Sequence, residues 1–317
     1  MSLIQEEEEV RTYTELVKRL EDGLKHFMDV EAERFASAAS MFTPPPRAKV
    51  SPSRKTWRVA AVDGGSGILS FADIDIGFAT ALAVIHDGAE YRRQLLQPKL
   101  LVQEYGEADG EFSDRVDVER ETMLLMLAQK VVRDNDLELL IVDGPLIPRP
   151  KYVGEYVYQL RTLIELCRER GVVVAGFVKR PQSRYLSELG FTDRALLSAV
   201  LDKMEAAPWP PTAPPTEKTD VRYTYIKLLN EPEAGVFRID FPPFVDDRQA
   251  LEALEYFAYS SDPVHGPPAI LMKADEEVKV SRRLVTELYR SCITGVMSRV
   301  PRKLWAPLVP RWGERIW

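Results

Sequence analysis

Two apolar runs that each end in Asp-Gly constrain the fold more than any other feature of the chain. Residues 59–62 precede Asp63, and residues 137–142 precede Asp143. Such runs, rich in Val, Ile and Leu, are typical of strands that are buried on both faces of a sheet. Open α/β sheets bind their ligands at the carboxyl ends of these strands. We therefore expect the two carboxylates to converge if their strands are neighbours, an arrangement that suits divalent-metal and phosphate chemistry.

The order of the elements defines the type of sheet. Three extended segments are joined by short turns, which predicts antiparallel pairing, and the later strands are separated by helices, which predicts parallel pairing. The predicted elements are strands 57–63, 74–86 and 91–103, helix 114–134, strand 138–143, helix 154–170 and strand 172–178. This order predicts an α/β protein with a ribonuclease H-like mixed five-stranded sheet flanked by helices. A Rossmann fold would place a helix directly after the first strand.

An N-terminal arm precedes this core. Residues 4–38 have a helical pattern that contains no proline. Its apolar side chains recur at helical spacing and form one stripe, made of Tyr13, Leu16, Val17, Leu20, Leu24, Phe27 and Met28. The stripe packs either across the domain or against a second copy of the chain.

Further elements follow the core. They are predicted as helix 193–205, an irregular proline-rich loop 206–215, strands 222–229 and 235–241, and helices 247–259 and 275–296. We expect no second antiparallel triplet of strands after residue 180. The predicted boundaries are 1–54 for the helical arm and its proline-rich linker, 55–299 for the main domain, and 300–317 for a tail rich in Pro, Trp and Arg.

Composition excludes several classes of protein. The 317 residues are 45% hydrophobic and 29% charged, with a net charge of −7, which leaves room only for a local basic channel. No apolar run reaches the length of about 18 residues that a membrane helix needs, and the acidic start resembles no targeting peptide. We therefore expect a cytoplasmic protein with no membrane partner. Neither the cysteines, Cys167 and Cys292, nor the three histidines have metal-ligand spacing.

Further carboxylates complete a candidate metal site. In a ribonuclease H-like sheet the first and fourth strands are adjacent, and a two-metal phosphodiesterase needs about four carboxylates. The helix between the third and fourth strands offers Asp117, Glu119 and Glu121. Glu121 lies nearest the apolar face of that helix and is preferred, with Glu119 as the alternative.

The fourth carboxylate is expected from the last helix. Asp275 stands at the boundary between the apolar run 270–272 and that helix. Its alternative interpretation is a helix-terminal charge that favours the N-terminus of the helix.

Basic and aromatic residues offer candidate DNA contacts. Lys179 and Arg180 end a strand and are placed to attract a phosphate backbone, although a solvated strand end is the alternative. Arg222, Tyr223 and Tyr225 suit the clamping and stacking of a single strand, with packing inside the strand as the alternative.

Five short motifs follow one another along the chain: residues 62–66 (VDGGS), the acidic helix 115–121, residues 140–146 (LIVDGPL), residues 177–180 (FVKR) and residues 268–275 (PAILMKAD). By their order and spacing, these motifs resemble the NurA nucleases. The resemblance extends from about residue 55 to residue 296. The family commonly begins its last motif with Tyr-Pro, for which the nearest matches here are Asp262-Pro263 and Gly266-Pro267-Pro268.

The resemblance implies a function, a cofactor and partners. It implies a homodimeric, manganese-dependent nuclease (Mn2+, two ions, with Mg2+ as the alternative) that has 5′-to-3′ exonuclease and single-strand endonuclease activity. The implied partners are single-stranded DNA, duplex DNA ends and a hexameric HerA-type helicase or translocase, with a role in double-strand-break end resection. Asp63 and Asp143, with Glu121 or Glu119 and Asp275, would be its metal ligands and catalytic carboxylates.

Two other functions fit parts of the pattern. An ATP-dependent phosphotransferase of the sugar kinase and actin superfamily shares this strand order, and Asp63-Gly64-Gly65-Ser66-Gly67 suits a phosphate-binding hairpin. Proteins of that superfamily duplicate the domain. A non-catalytic dimeric adaptor with a ribonuclease H-like core is the other alternative, and the acidic set at Asp63, Glu121 and Asp143 argues against it.

Overall fold

A computed structural model describes residues 3–70, 74–148, 154–215, 219–230 and 235–279, with a few isolated positions further on. In chain order its elements are α1 (Leu3–Met41), β1 (Ala48–Lys49), β2 (Val59–Ser70), β3 (Asp75–His86), β4 (Tyr91–Val102), α2 (Asp109–Asp134), β5 (Leu139–Asp143), α3 (Glu155–Arg170), β6 (Val173–Val178), α4 (Asp193–Val200), β7 (Glu205–Thr212), β8 (Arg222–Lys227), β9 (Val236–Phe241), α5 (Asp247–Ser260) and α6 (Ala269–Val278). Cys292 and the predicted tail 300–317 lie outside the described residues.

The predicted core is present in the predicted order. Across the described ranges the strands form one sheet in the order β1-β7-β8-β9-β6-β5-β2-β3-β4. Strands β2, β3 and β4 pair antiparallel, while β5 pairs parallel with both β2 and β6. The half-sheet β4-β3-β2-β5-β6 therefore has the ribonuclease H-like arrangement, and that fold prediction is confirmed.

The sheet is wider than the five strands predicted from the sequence. Strand β9 adds antiparallel to the free edge of β6, and β8, β7 and β1 continue from it. Strands β7, β8 and β9 are thus a second antiparallel triplet, contrary to expectation. This triplet extends the existing sheet, whereas a duplicated domain would have a sheet of its own.

The proline-rich segment 206–215 is mostly strand and not an irregular loop. Strand β7 pairs with β8 at Ala206, Ala207 and Thr212, and the register is interrupted between the last two of these. The prolines of β7 fall within this interruption, where the ladder demands fewer backbone N–H donors. The preceding helix accordingly ends at Val200, earlier than the predicted residue 205.

Helices cover both faces of the central strands. Alternate residues of one strand face opposite layers: Ala60 and Val62 pack with the core formed by α2 and α3, while Val59 and Ala61 pack with α5 and α6. The same alternation holds along β5, whose apolar residues are all buried. Burial on both faces explains why these strands are continuously apolar in sequence.

Helix α1 extends away from this core. Its C-terminal part is anchored where Ala38 is buried against α4 and where Arg34 and Phe35 contact Phe191. Most of the apolar stripe faces solvent, and Leu20 and Leu24 are 63% and 60% exposed. The helix therefore does not pack its stripe across its own domain. None of the described helices has the length and apolar content that crossing a bilayer requires.

Two glycines allow the chain to turn closely after β5. Gly144 has a φ of +138°, a region that favours glycine, and its N–H donates to the carbonyl of Phe177 over 3.1 Å. On β6, a Cβ added to Gly176 would lie 2.7 Å from the carbonyl oxygen of Gly144 and 2.8 Å from the Leu146 side chain. The loop that follows Asp143 therefore lies directly on the backbone of the neighbouring strand.

We expect Gly176→Ala to lower the free energy of unfolding by about 1–3 kcal/mol, because overpacking forces the loop away from β6. Denaturant unfolding followed by circular dichroism measures this change. Gly110→Ala is the matched control, since nothing lies within 4 Å of the added methyl group at that position in α2. The control should stay level with the wild type or gain stability. Equal behaviour of the two variants would contradict the close crossing.

Candidate metal centre

Three carboxylates meet where the parallel pairing of the central strands ends. Oxygen atoms of Asp63, Asp143 and Asp275 all lie within 4.8 Å of one another. The last parallel pair between β2 and β5 is Val62 with Val142, so the first two carboxylates come immediately after it. Strand β2 continues past the predicted end at residue 63 to Ser70, because its second half pairs with β3. Asp63 is thus held inside a strand, and it is only 5% exposed.

The position of Asp275 differs from the prediction. Helix α6 begins at Ala269 directly after Pro268, and not at residue 275. The apolar run 270–272 is therefore part of that helix, whose buried face includes Leu271 and Ala274. Asp275 lies in its second turn, so its charge is not explained by the start of the helix. Because α6 packs on β2 and β3, this carboxylate reaches the end of the strand pairing from above the sheet.

Lys179 neutralises part of the charge of this cluster. Its Nζ lies 2.6 Å from Oδ2 of Asp143 and 2.9 Å from Oδ1 of Asp275, and Lys279 lies 2.6 Å from Oδ2 of Asp275. Burial lowers the pKa of Lys179, but the neighbouring carboxylates outweigh it and raise that pKa above its usual range. In the same way, burial raises the pKa of Asp275, yet the two ammonium groups bring it below its ordinary value. Lys179, expected at a DNA surface, therefore lies within the carboxylate cluster.

Asp63 holds a proton that a cation would have to displace. Burial, followed by the negative charge of Asp143, raises the pKa of Asp63 to about 8. Its Oδ1 accepts a hydrogen bond of 2.6 Å from the N–H of Gly64. Carboxylate oxygens in this number and at this spacing fit a hard divalent cation, which binds the deprotonated form. The residues present therefore suit a metal such as magnesium or manganese.

The two glutamates of α2 have different surroundings. Glu121 is buried, and its Oε2 lies 3.6 Å from the position that a Cβ of Gly144 would occupy, next to the loop after Asp143. Its Oε1 accepts a 2.6 Å hydrogen bond from Arg120. Glu119 instead pairs with Lys99 on β4 at 2.8 Å. Helix α2 covers the face opposite α6, so Glu121 approaches the strand ends from that other side.

The expected stacking residues lie inside the protein. Tyr223 and Tyr225 are 1% and 0% exposed, so their rings have no face available for a DNA base, and that interpretation is wrong. Arg222 pairs with Asp247 at 2.6 Å and also donates to the carbonyl of Val245, which fixes it at the start of α5. Arg180 is exposed.

A buried ion pair, which the sequence analysis did not identify, holds the loop after Asp143. Arg238 donates to both carboxylate oxygens of Asp240 over 2.9 and 3.1 Å, and Asp240 accepts from the N–H of Leu146 over 3.1 Å. Burial raises the pKa of Asp240 although Arg238 opposes the shift. The signal was present in the sequence: Arg238 and Asp240 are charges two residues apart, on one face of an otherwise apolar strand.

This ion pair is part of a longer polar network. Arg238 donates to Oγ of Ser183 over 3.1 Å, and that hydroxyl lies 2.7 Å from the Tyr225 hydroxyl. Tyr225 in turn donates to Asp193, which also accepts from the N–H groups of Tyr185 and Leu186. The network therefore ties the loop after β5 to the loop after β6.

The fold and the site together define an α/β protein with a ribonuclease H-like half-sheet and a carboxylate cluster at its strand ends. The NurA domain model matches residues 58–280. The chain belongs to the NurA family.

Solved structures agree with this assignment. The NurA nuclease from Sulfolobus solfataricus is 17% identical, with a TM-score of 0.64 over 89% of this chain and 99% of that one. A NurA crystallised with manganese has a TM-score of 0.59 at 13% identity, over 88% and 98% of the two chains. A NurA bound to dAMP and manganese has a TM-score of 0.53 at 14% identity, over 91% and 96%. At these identities the likeness establishes the fold. No curated protein sequence matches the chain.

The raised pKa of Asp63 predicts a variant that gains stability. Folding raises this pKa from 3.8 to about 8, so the folded state binds the proton more tightly than the unfolded state. The contribution of this pKa difference to the stability of the folded state is fully present below about pH 4 and is lost as the pH rises towards 8. Asp63→Asn removes this dependence. In metal-free buffer at pH 7.5 we expect the variant to be more stable than the wild type by about 1–3 kcal/mol.

Denaturant unfolding in the presence of a chelator, at pH 4.5 and at pH 7.5, measures this difference. The gain should be smaller at the lower pH, because Asp63 is then protonated more fully in the unfolded chain as well. A gain that does not depend on pH, or a loss at pH 7.5, would contradict the assignment.

Proposed function

We propose that this chain is a metal-dependent DNA nuclease whose catalytic site is the cluster of Asp63, Asp143 and Asp275. The observation that carries the proposal is the convergence of these three carboxylates within 4.8 Å, in a chain of the NurA family. We propose Mn2+ as the cofactor, bound as two ions, with Mg2+ able to replace it. The crystallisation of one NurA with manganese, and of another with dAMP and manganese, supports this choice.

The chain's own residues have distinct parts in the proposed reaction. Bound divalent ions would supply the activation of a water molecule and the stabilisation of the leaving oxygen of the phosphodiester. Asp63, in its deprotonated form, would hold them together with Asp143 and Asp275. Lys179, whose ammonium group lies beside Asp143 and Asp275, would be placed to pair with the phosphate of the substrate. Glu121 supplies a further carboxylate from the opposite face of the sheet.

We further propose the substrates and partners that the family resemblance implies. The chain would digest single-stranded DNA and duplex ends with 5′-to-3′ exonuclease and single-strand endonuclease activity. It would act with a HerA-type helicase in the end resection of double-strand breaks. The exposed Arg180, two residues after the end of β6, supports a path for the phosphate backbone beside the cluster.

The exposed stripe of α1 supports the proposed homodimer. Large apolar side chains line this helix at helical spacing and are more than half exposed in the single chain, including Leu16, Leu20, Leu24 and Phe27. Pairing of two such helices buries the stripe on both copies, and each buried Leu contributes about 1.5–3 kcal/mol.

Substitution of the carboxylates tests the proposed site. We expect Asp143→Asn and Glu121→Gln to reduce manganese-dependent digestion of labelled DNA by at least about 100-fold, since a lost ligand removes several kcal/mol of charge stabilisation. Glu119→Gln is the matched control on the same helix and should keep the wild-type rate within about threefold. Gel assays on single-stranded and duplex DNA measure these rates. Full activity of Asp143→Asn would exclude this site.

Polar substitutions on α1 test the homodimer. Leu20→Gln with Leu24→Gln should raise the dimer dissociation constant at least about 100-fold, since four leucines then leave the interface. Glu21→Gln with Lys25→Gln is the control, because it changes neighbouring exposed positions and keeps the net charge. Analytical ultracentrifugation measures both. A wild-type chain that sediments as a monomer, or a control that dissociates equally, would remove α1 from the interface.

A further inference from the structure

A cleft lies at the end of the sheet that carries the carboxylate cluster. It has a volume of about 360 Å³, is open to solvent, and is bordered by the loop after β5 and the loop after β6, with Arg238 of β9 also lining it. This volume falls at the lower end of the range for small-molecule sites. The cleft is therefore of a size for one small organic group and too small for a length of duplex.

The cleft lies at the same end of the central strands as the carboxylate cluster, on the opposite face of the sheet. Pro145, on its wall, follows Asp143 by two residues. Val178 and Arg180, also on its wall, are the two neighbours of Lys179, whose ammonium group contacts Asp143 and Asp275. Because neighbouring residues of a strand point to opposite faces, Val178 and its pairing partner Arg238 lie on the face of α2 and α3, whereas Lys179 lies with the carboxylates on the face of α5 and α6. The cleft and the cluster therefore share one end of the sheet, which a single strand of DNA would have to cross to contact both.

The lining of the cleft suits a flat group with polar edges. Pro145, Ile147 and Pro181 offer rigid apolar surface, while Ser183 and Arg238 offer hydroxyl and N–H groups. The guanidinium of Arg238 lies 5.8 Å from the centre of the Tyr185 ring, so both groups belong to one wall. This combination matches a nucleobase, which has two apolar faces and an edge of hydrogen-bonding atoms.

The cleft is also held rigid from beneath. Asp240 fixes Arg238 and the loop that carries Leu146, and Ser183 is fixed by Arg238 and Tyr225. A wall that is held by buried hydrogen bonds loses little conformational freedom when a ligand binds. The network of β8 and β9 thus also fixes the positions of the groups that line the cleft.

We propose that this cleft binds the base of one nucleotide of the strand that is cleaved. The inference rests on the proposed function, of which it specifies the substrate contact. A base in the cleft is turned out of the stack and is unpaired, so the strand must be single at that point. Arg180, at the rim of the cleft, is placed to form an ion pair with the phosphate of the same nucleotide.

The test combines two changes in a thermodynamic cycle: one base is removed from the DNA, and the cleft of the protein is filled by a bulky side chain. The probe is a short, labelled single strand in which one abasic residue is moved position by position along the chain. Gln182→Trp fills the cleft from an exposed position on its lining, and Glu188→Trp is the control, with the same bulk at an exposed position of the same loop. Binding is measured by fluorescence anisotropy on the Asp143→Asn background with Mg2+, and cleavage is measured on the background with Asp143 intact.

In the chain with an open cleft, we expect one abasic position to weaken binding by about 5- to 100-fold, the effect of losing one stacked base. Gln182→Trp should weaken binding of the intact strand by a similar factor and make the abasic residue neutral. The control should keep the abasic penalty. If Gln182→Trp and the abasic residue weakened binding independently, so that their effects multiplied, the inference would be overturned. It would also be overturned if no abasic position weakened binding.

The two proposals fail in different ways. A chain that cleaves DNA with manganese but shows no position-specific abasic penalty keeps the nuclease proposal and overturns the cleft. A chain that shows no cleavage with either metal overturns the nuclease proposal. The anisotropy cycle then still decides whether a base occupies the cleft.

Discussion

The parallel pairing of β5 with β2 on one side and β6 on the other determines where every charge of the site lies. Residues of a strand alternate between the two faces of the sheet. By this alternation Asp63, Asp143 and Lys179 lie on the same face as the residues that pack beneath α5 and α6. Helix α6 covers that face and supplies Asp275. A slip of one residue in either pairing would turn a carboxylate to the opposite layer. The register of three strands is therefore also the geometry of the site.

The site shows how a protein holds like charges close together in a buried place. Carboxylates separated by less than 5 Å repel each other strongly when buried, so at least one of them stays protonated or gains a cationic partner. Both solutions occur here, the proton on Asp63 and the ammonium group of Lys179 between Asp143 and Asp275. The carboxylate cluster is thus formed without a bound cation, and this lowers the stability of the folded chain. Asp63→Asn would restore that stability.

Much of this was available from the sequence, because the local patterns agree with the final packing. The apolar runs, the strand order and the two Asp-Gly ends predicted the half-sheet and its first two carboxylates. The errors arose where tertiary contacts override local signals. Prolines suggested a loop where an interrupted edge pairing accommodates them in β7. The aromatic strand β8 looked like a binding surface, but α4 and the C-terminal end of α1 cover Tyr223 and Tyr225. Only the fold could show that Lys179 turns inward.

The ammonium group of Lys179 has one further consequence. Its contacts with Asp143 and Asp275 join the end of β5 to helix α6. Without a cation, Lys179 is therefore a cross-link between the sheet and the helix that covers it. A divalent ion held by the same two carboxylates would make the same connection, so the helix would keep its place on the sheet in both forms.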